Sequence, residues 1–456
     1  MHRRHFLRAT AGFGVFGLTI PTAYARKLSA FSEAKIRGSL DATEFGIRPD
    51  SSGDQSTAFR AVLAEASRRK MPLFLPPGRY IVSDIALPSF MRITGVPGAT
   101  HIVQGGDSLF HAAGRDHIGL SGLAFDGAGL PLGGAANGLV DLRQVSHLAI
   151  TDCSMTASGR HGIALEAAGG RITGSEIAKA ADAGIHSVDG AGLDITDNHV
   201  SDCGNGGILV WRRKQGDDRT IVNGNRIERT RADAGGTGQN GNGINPFRAD
   251  NVIVSDNIVS DCAFSALRAN SCDNIQFGGN TCLRSGETAI YAEFSSEGTV
   301  INANTVDRAA NGIAIVNFDK GGRLGTCTGN IVRNLTPTGP YPAEGAGFGT
   351  GISVEADCTA SNNVIEGAPL FGMQIGWGPF MRNIVATGNV IRNAGVGISV
   401  SVVEGTGQAV ISGNVIDNAQ NGAIIGYRWA DPATGDLAKG GPKKFPNLEI
   451  GKNSIG

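Results

Sequence analysis

Apolar positions along most of the chain fall two apart in short runs, as in Ile313-Ala314-Ile315. No helical stretch between these runs is long enough to carry a crossover between parallel strands. A second pattern lies over the first. A Gly-Ile-x-Val run such as Gly397-Ile398-Ser399-Val400 is followed by a turn such as Gly413-Asn414-Val415-Ile416. The turn asparagines recur at Asn198, Asn225, Asn257, Asn280, Asn304, Asn330, Asn363, Asn389, Asn414 and Asn453. Most intervals between them are roughly 23 to 33 residues, the repeat range of a solenoid. Three short strands per repeat then predict an all-β fold. Successive coils stack their strands in parallel at about 4.8 Å, around a narrow core of Ile, Val, Leu, Ala and Cys.

An amide at one turn position in every coil is placed to bond the coils above and below, and asparagine tolerates the left-handed backbone that a corner needs. The asparagines are therefore read as structure, and no metal motif accompanies them. The chain's 68 glycines, about twice the usual share, suit tight corners. Its 6% aromatic content suits a narrow interior. One segment departs from the strand pattern. From Thr57 to Lys70 the apolar residues Phe59, Val62, Leu63 and Ala66 keep helical spacing, with Ser56 or Thr57 as N-cap and Arg68-Arg69-Lys70 at the C-terminus. Such a helix plugs an open end of the stack, where bare strand edges would otherwise be exposed.

Phe45-Gly46-Ile47-Arg48-Pro49-Asp50, Asp54, Thr57-Ala58-Phe59 and Leu75-Pro76-Pro77-Gly78-Arg79-Tyr80 together resemble the opening of the pectate-lyase-like β-helix superfamily. The resemblance implies one right-handed parallel β-helix with a short N-terminal capping helix. With the leader described next, the whole chain also resembles a family of twin-arginine-translocated repeat proteins of unassigned activity. The fold follows firmly from these resemblances, the function only weakly.

Residues 1–25 read as a targeting segment: Arg3-Arg4-His5-Phe6-Leu7-Arg8, a short apolar run to Ile20, and Ala23-Tyr24-Ala25 as a cleavage site. The pair Arg3 and Arg4 marks a twin-arginine signal. The export machinery is thus an expected partner, and the mature protein is expected in the periplasm or secreted. Residues 26–40 form a polar leader and 41–456 the β-helix, with 41–95 as its opening and cap and 96–456 as repeated coils. No stretch is apolar enough to span a bilayer. Loss of Arg3, Arg4 and Arg8 with the signal moves the formal net charge from −1 to −4, which does not favour nucleic acid. Seven cysteines, in a chain that folds in a reducing cytoplasm before export, argue against a disulfide framework. Cys203 and Cys262 occupy matching places and read as stacked core residues.

Candidate chemistry lies on the Gly-Ile-x-Val strands. The outward position, coil by coil, reads Val140, Ala164, His186, Leu209, Asn245, Arg268, Tyr291, Ala314, Ser353, Gln374 and Ser399. The next outward position adds Glu166, Trp211, Phe247, Asn270 and Glu293. His186, Arg268 and Tyr291 are the candidate catalytic residues, and Trp211, Asn245, Phe247, Arg248 and Glu293 the candidate binding residues. A solvent-facing Arg268 would neutralise a uronate while Tyr291 or His186 moves the adjacent proton. An acidic polysaccharide is accordingly the expected partner, cleaved by β-elimination or epimerised, with no cofactor or metal called for. Hydrolysis fits less well. Gly159-Arg160-His161-Gly162 resembles the Gly-His-Gly strand of polygalacturonases, but the paired aspartates that such chemistry needs are missing from the neighbouring coils.

Three excursions break the repeat, at Arg229 to Asn242, Leu335 to Thr350 and Tyr427 to Pro446, and loops of this length in a solenoid often wall a groove. Trp211-Arg212-Arg213-Lys214 and Tyr427-Arg428-Trp429 begin two of these projections and suit an acidic glycan. The rival reading is a noncatalytic envelope scaffold or glycan-binding repeat protein. It predicts mostly small, neutral groups along the row, as in the coils after Ala314.

Overall fold

The computed structural model describes residues 38–236, 238–317, 321–343 and 345–456. Leu40–Gly456 form one compact unit. The signal and nearly all of the polar leader therefore lie outside the described residues. The compact unit is a parallel β-helix. One sheet stacks 16 strands, and a 26-stranded sheet carries the other two strands of each coil. A representative coil runs Ala183–Val188, Leu193–Thr196 and His199–Ser201. Each of these strands pairs in parallel with the equivalent strand of the next coil.

The inward side chains of successive coils make one continuous core, from Leu40 to Leu448. All seven cysteines are buried free thiols. Burial pushes the Cys203 and Cys262 thiols up to about 12, so they are inert packing groups, as their matching positions predict.

The ten turn asparagines form an unbroken ladder. The backbone N–H of Asn198 donates to Asn225 Oδ1 at 2.9 Å, and the same step repeats through Asn257, Asn280, Asn304, Asn330, Asn363, Asn389 and Asn414 to Asn453. Each Nδ2 also reaches a carbonyl of the coil before it, as Asn389 Nδ2 reaches Ala360 O at 3.0 Å. One detail differs from the sequence expectation. The left-handed residue at each corner is the one before the asparagine, such as Asp197, Gly224, Asp256 or Gly388. The amide group serves the ladder, and its neighbour makes the bend.

The capping helix spans Ser56–Arg69 and buries Phe59, Val62, Leu63 and Ala66. Its N-cap is Gln55, which makes no side-chain cap bond. Neither Ser56 nor Thr57 is the cap. Asp54 instead accepts from the Ser56 N–H at 2.8 Å, which satisfies one of the orphan donors of a helix start. In the Pro-Pro-Gly segment, Gly78 has φ +143° and a Cβ there would lie 2.5 Å from Pro49 Cβ. The turn requires glycine. Tyr80 beyond it is fully buried, with its hydroxyl donating to Pro76 O at 2.8 Å.

The third excursion belongs to the far end of the stack. It begins at the end of the strand Ile424–Arg428, which pairs antiparallel with Asp431–Asp436, and includes the short helix Leu437–Gly440.

Candidate functional site

Strand pairing places Ala164, His186, Leu209 and Asn245 in one register, and Arg268, Tyr291, Ala314, Ser353, Gln374 and Ser399 in another run of the same row. The row begins with Asp141 rather than Val140, since Asp141 is the partner of Ala164. In that coil Leu139 stands where the others carry a small residue, so the pattern slips by one. The neighbouring outward row pairs Trp211 with Phe247, Phe247 with Asn270 and Asn270 with Glu293.

Over these rows lies a cleft of about 950 Å³ whose lining includes Trp211, Asn245, Phe247, Arg268, Tyr291 and Glu293. Its walls come from the first two excursions. The first contributes Gly238 and Gln239, and the second Tyr341, Gly347 and Phe348. Tyr341 and Phe348 pack ring against ring at 5.6 Å, and Tyr341 stacks with Phe264 at 6.2 Å. The loop is thereby seated on the coil beneath it.

The floor is a connected polar network. Trp211 Nε1–H donates to Asn245 Oδ1 at 3.1 Å, and Asn245 Nδ2 donates to Arg268 O at 2.7 Å. Arg268 makes ion pairs with Glu293 at 2.6 Å and Glu287 at 3.1 Å. Asn270 Nδ2 also donates to Glu293, at 3.0 Å. Glu287 accepts from Ser265 Oγ at 3.2 Å and from Tyr341 Oη at 2.5 Å. The Arg268 guanidinium lies 5.0 Å from the Tyr291 ring centroid, within cation–π range.

Burial sets the electrostatics. Glu287 is 2% and Glu293 1% exposed. Burial pushes the Glu287 carboxyl above its usual range, against the pull of Arg268. Burial alone would lower the Arg268 pKa, but the carboxylates of Glu293 and Glu287 more than reverse this and raise it. Tyr291 is pushed well above the usual phenol range by burial and by Glu293 and Glu287. It therefore stands as a neutral phenol, a proton donor rather than a ready base.

The family described as right handed beta helix region matches residues 137–238 and 215–383, together more than half of the chain. The chain belongs to this family. No curated protein matches it. Among solved structures, gene product 12 of bacteriophage phi29 is similar in fold. Its pre-mature form is 14% identical over 84% of this chain and 69% of that one, with a TM-score of 0.50. Its N-terminal fragment is 14% identical over 91% of this chain, with a TM-score of 0.46, and this β-helix spans 66% of the fragment's length. The mannuronan C-5 epimerase A-module of Azotobacter vinelandii is 15% identical over 82% of this chain and all of its own, with a TM-score of 0.39.

Several sequence expectations are corrected on this β-helix. Arg268 is outward by alternation but only 9% exposed, because the two excursions fold over its row. A Cβ on Gly238 would lie 1.9 Å from Arg268 Nη1. Its charge is held by two carboxylates and is not offered to solvent. His186 lies outside the cleft, packed between a tilted His161 ring at 4.4 Å and the edge-on Trp211 ring at 5.0 Å. Burial and the neighbouring His161 hold its pKa down at about 3. His161, in the Gly-Arg-His-Gly run, is buried, with Nδ1 accepting from the Ala183 N–H at 3.1 Å. Arg248 is exposed beside the cleft, its guanidinium 4.7 Å from the Phe247 centroid.

Arg212 and Arg213 lie on the strand Gly206–Asp217 and open no excursion, and they are paired, as is Arg428. Arg213 meets Asp189 at 2.6 Å and Glu166 at 2.8 Å, Arg212 lies 3.7 Å from the buried Asp218, and Arg428 meets Glu404 at 2.5 Å.

Glu287 and Tyr341 were missed in the sequence. Glu287 had a signal. Backbone hydrogen bonds link Arg160, Asp182, Asn205, Gly241, Phe264 and Glu287 from coil to coil, so its column could have been aligned as the outward row was. Tyr341 had none, since it sits in a loop without period. Away from the cleft, Asp116, His117 and His147 offer ligand-type atoms within 4.8 Å of one another. Asp116 already lies 2.8 Å from the Nδ1 of each imidazole, so the three satisfy one another.

Proposed function

We propose that this β-helix is an exported glycan-binding protein whose binding site is the cleft over Trp211, Phe247, Arg268 and Tyr291. The observation that carries the reading is the lining itself. Aromatic side chains of Trp211, Phe247, Tyr291, Phe294, Tyr341 and Phe348 line the cleft together with amides, carboxyls and one guanidinium. Rings of this kind stack on the apolar faces of sugars, while fixed polar groups select hydroxyls. The uronate-specific form of the reading, with elimination or epimerisation, needs a cation ready for the substrate carboxylate. Arg268 is committed to Glu287 and Glu293, so recognition here rests on ring stacking and hydrogen bonding.

A catalytic form of the same site is favoured by one observation. Glu287 is a carboxyl raised by burial, hydrogen-bonded by Tyr341, in one cluster with Glu293 and the neutral phenol of Tyr291. These groups suit proton transfer to and from a sugar oxygen.

Calorimetric titration with soluble neutral and acidic polysaccharides tests the binding reading. The parent should bind at least one, and Trp211→Ala and Phe247→Ala should each weaken that binding at unchanged fold. Equal binding by both variants, or no binding to any polysaccharide, overturns it. Export through the twin-arginine route rests on Arg3-Arg4 and Ala23-Tyr24-Ala25. Replacing both arginines by lysine should leave precursor in the cytoplasm, and periplasmic arrival of that variant would refute the route.

A further inference from the structure

The cleft does not end at Tyr291. A second cavity of about 290 Å³ begins on the far side of that ring and shares Tyr291 and Gly347 with the first. Its floor is the same outward row, continued in register from Tyr291 through Ala314 and Ser353 to Gln374. Ala314 and Ser353 are short, so the floor drops where the row leaves the polar coils. Trp377 closes the cavity at its end.

Trp377 is held in place. Its ring packs edge to face on Trp429 at 5.6 Å. A Cβ on Gly378 would lie 2.3 Å from the Trp429 ring, so the two indoles approach this closely only over a glycine. From the strand of Trp211 to the strand that leads into Trp377 there are six successive parallel pairings. At about 4.8 Å per pairing the track is roughly 29 Å long. A mono- or disaccharide leaves most of it empty. The charges along it also select. Among the described residues, its lining sets the cation Arg268 against the buried Glu287 and Glu293. A polyuronate would bring further negative charge to a track whose described lining offers no cation beyond the paired Arg268, and charge complementarity works against it.

From the two adjoining cavities and their charge we infer that the ligand is a linear, uncharged polysaccharide lying along the helix axis, with Trp377 as the platform at the far end of its track. This rests on the glycan-binding reading above and adds the length, direction and charge class of the chain.

The probes are gluco- and xylo-oligosaccharides from disaccharide upward, with oligogalacturonates of matched length, titrated against the full mature chain. Affinity for the neutral series should rise with length. Trp377→Ala should weaken the longest neutral oligomer roughly threefold to tenfold and leave the disaccharide unchanged. Ser353→Trp, which fills the second cavity from its floor, should cancel the same gain. Circular dichroism and melting of both variants verify the fold. Affinity that does not depend on length, or both variants equal to the parent on the longest oligomer, overturns the extended track while glycan binding stands. Tighter binding of the oligogalacturonates overturns the charge class alone. Binding of no oligomer in either series overturns the inference together with the reading beneath it.

Discussion

The asparagine corner and the cleft floor are both buried polar networks, and they differ in how each donor finds its acceptor. At the corner, every amide meets an identical amide one coil away, as Asn363 Nδ2 meets Asn389 Oδ1 at 3.0 Å. The groups are neutral, the geometry repeats, and each coil satisfies the next. On the floor, Arg268 meets two carboxylates that come from one neighbouring strand segment, while the hydroxyl that completes Glu287 comes from a loop 54 residues away. Among the described residues no second coil carries that arrangement. A buried ion cluster of this kind gives little net stability compared with an apolar floor. The coil stack has no structural need for it, which is why we place function there and not at the corner.

The contrast is broken most severely at Arg268. Arg268→Ala should lower unfolding free energy by about 3 to 5 kcal/mol, since it leaves two buried carboxylates unpaired. Alternation alone, which makes Arg268 solvent-facing, gives no such cost. Adding Glu287→Gln to that variant should recover part of the loss by removing one of the stranded charges. Urea unfolding of the three proteins measures both effects. A single variant as stable as the parent would mean that the floor is well hydrated and the network is not buried in solution.

A smaller loss is expected at the corner. Asn389→Leu strips the acceptor from Asn363 N and Nδ2 and the donor from Ala360 O. The expected cost is about 1 to 3 kcal/mol. Because coils carry one another, protection from hydrogen exchange should fall in the adjacent coils as well as at the turn. Unchanged exchange in those neighbours would separate the ladder from coil stability.

What was legible in the sequence follows the same division. The corner was readable because a period of one coil repeats residue type and geometry together. Register was readable for the same reason, and it slipped only at Val140, where Leu139 fills a place that other coils leave small. Alternation also told which side chains point away from the core, Arg268 and Tyr291 among them. It could not tell which of those remain in water. That depends on the excursions at residues 229–242 and 335–350, whose backbones follow Gly238, Gly345 and Gly347 at positive φ and no repeat. Sequence therefore placed Trp211, Asn245, Phe247, Arg268, Tyr291 and Glu293 along one cleft, yet it gave Arg268 the wrong surroundings and omitted Glu287 and Tyr341. His186 was drawn in by its register alone.

His186 offers the mildest test, as a buried polar group served by neither device. Its Nε2 is buried with no hydrogen-bond partner, and its ring is clasped between His161 and Trp211. Burial first, and then repulsion from His161, lowers its pKa from 6.5 to about 3. Between those values the unfolded chain holds a proton that the folded chain refuses, so stability contributed by the neutral ring is present above pH 6.5 and is lost as pH falls toward 3. His186→Leu places at this row the residue type that its partner Leu209 already supplies. The variant should melt close to the parent at pH 7 and increasingly above it as pH is lowered through 5 to 4. Parallel melting curves across that range would show that His186 is hydrated and titrates normally, and the packing from His161 to Trp211 would then have to open to water on the flank next to the cleft.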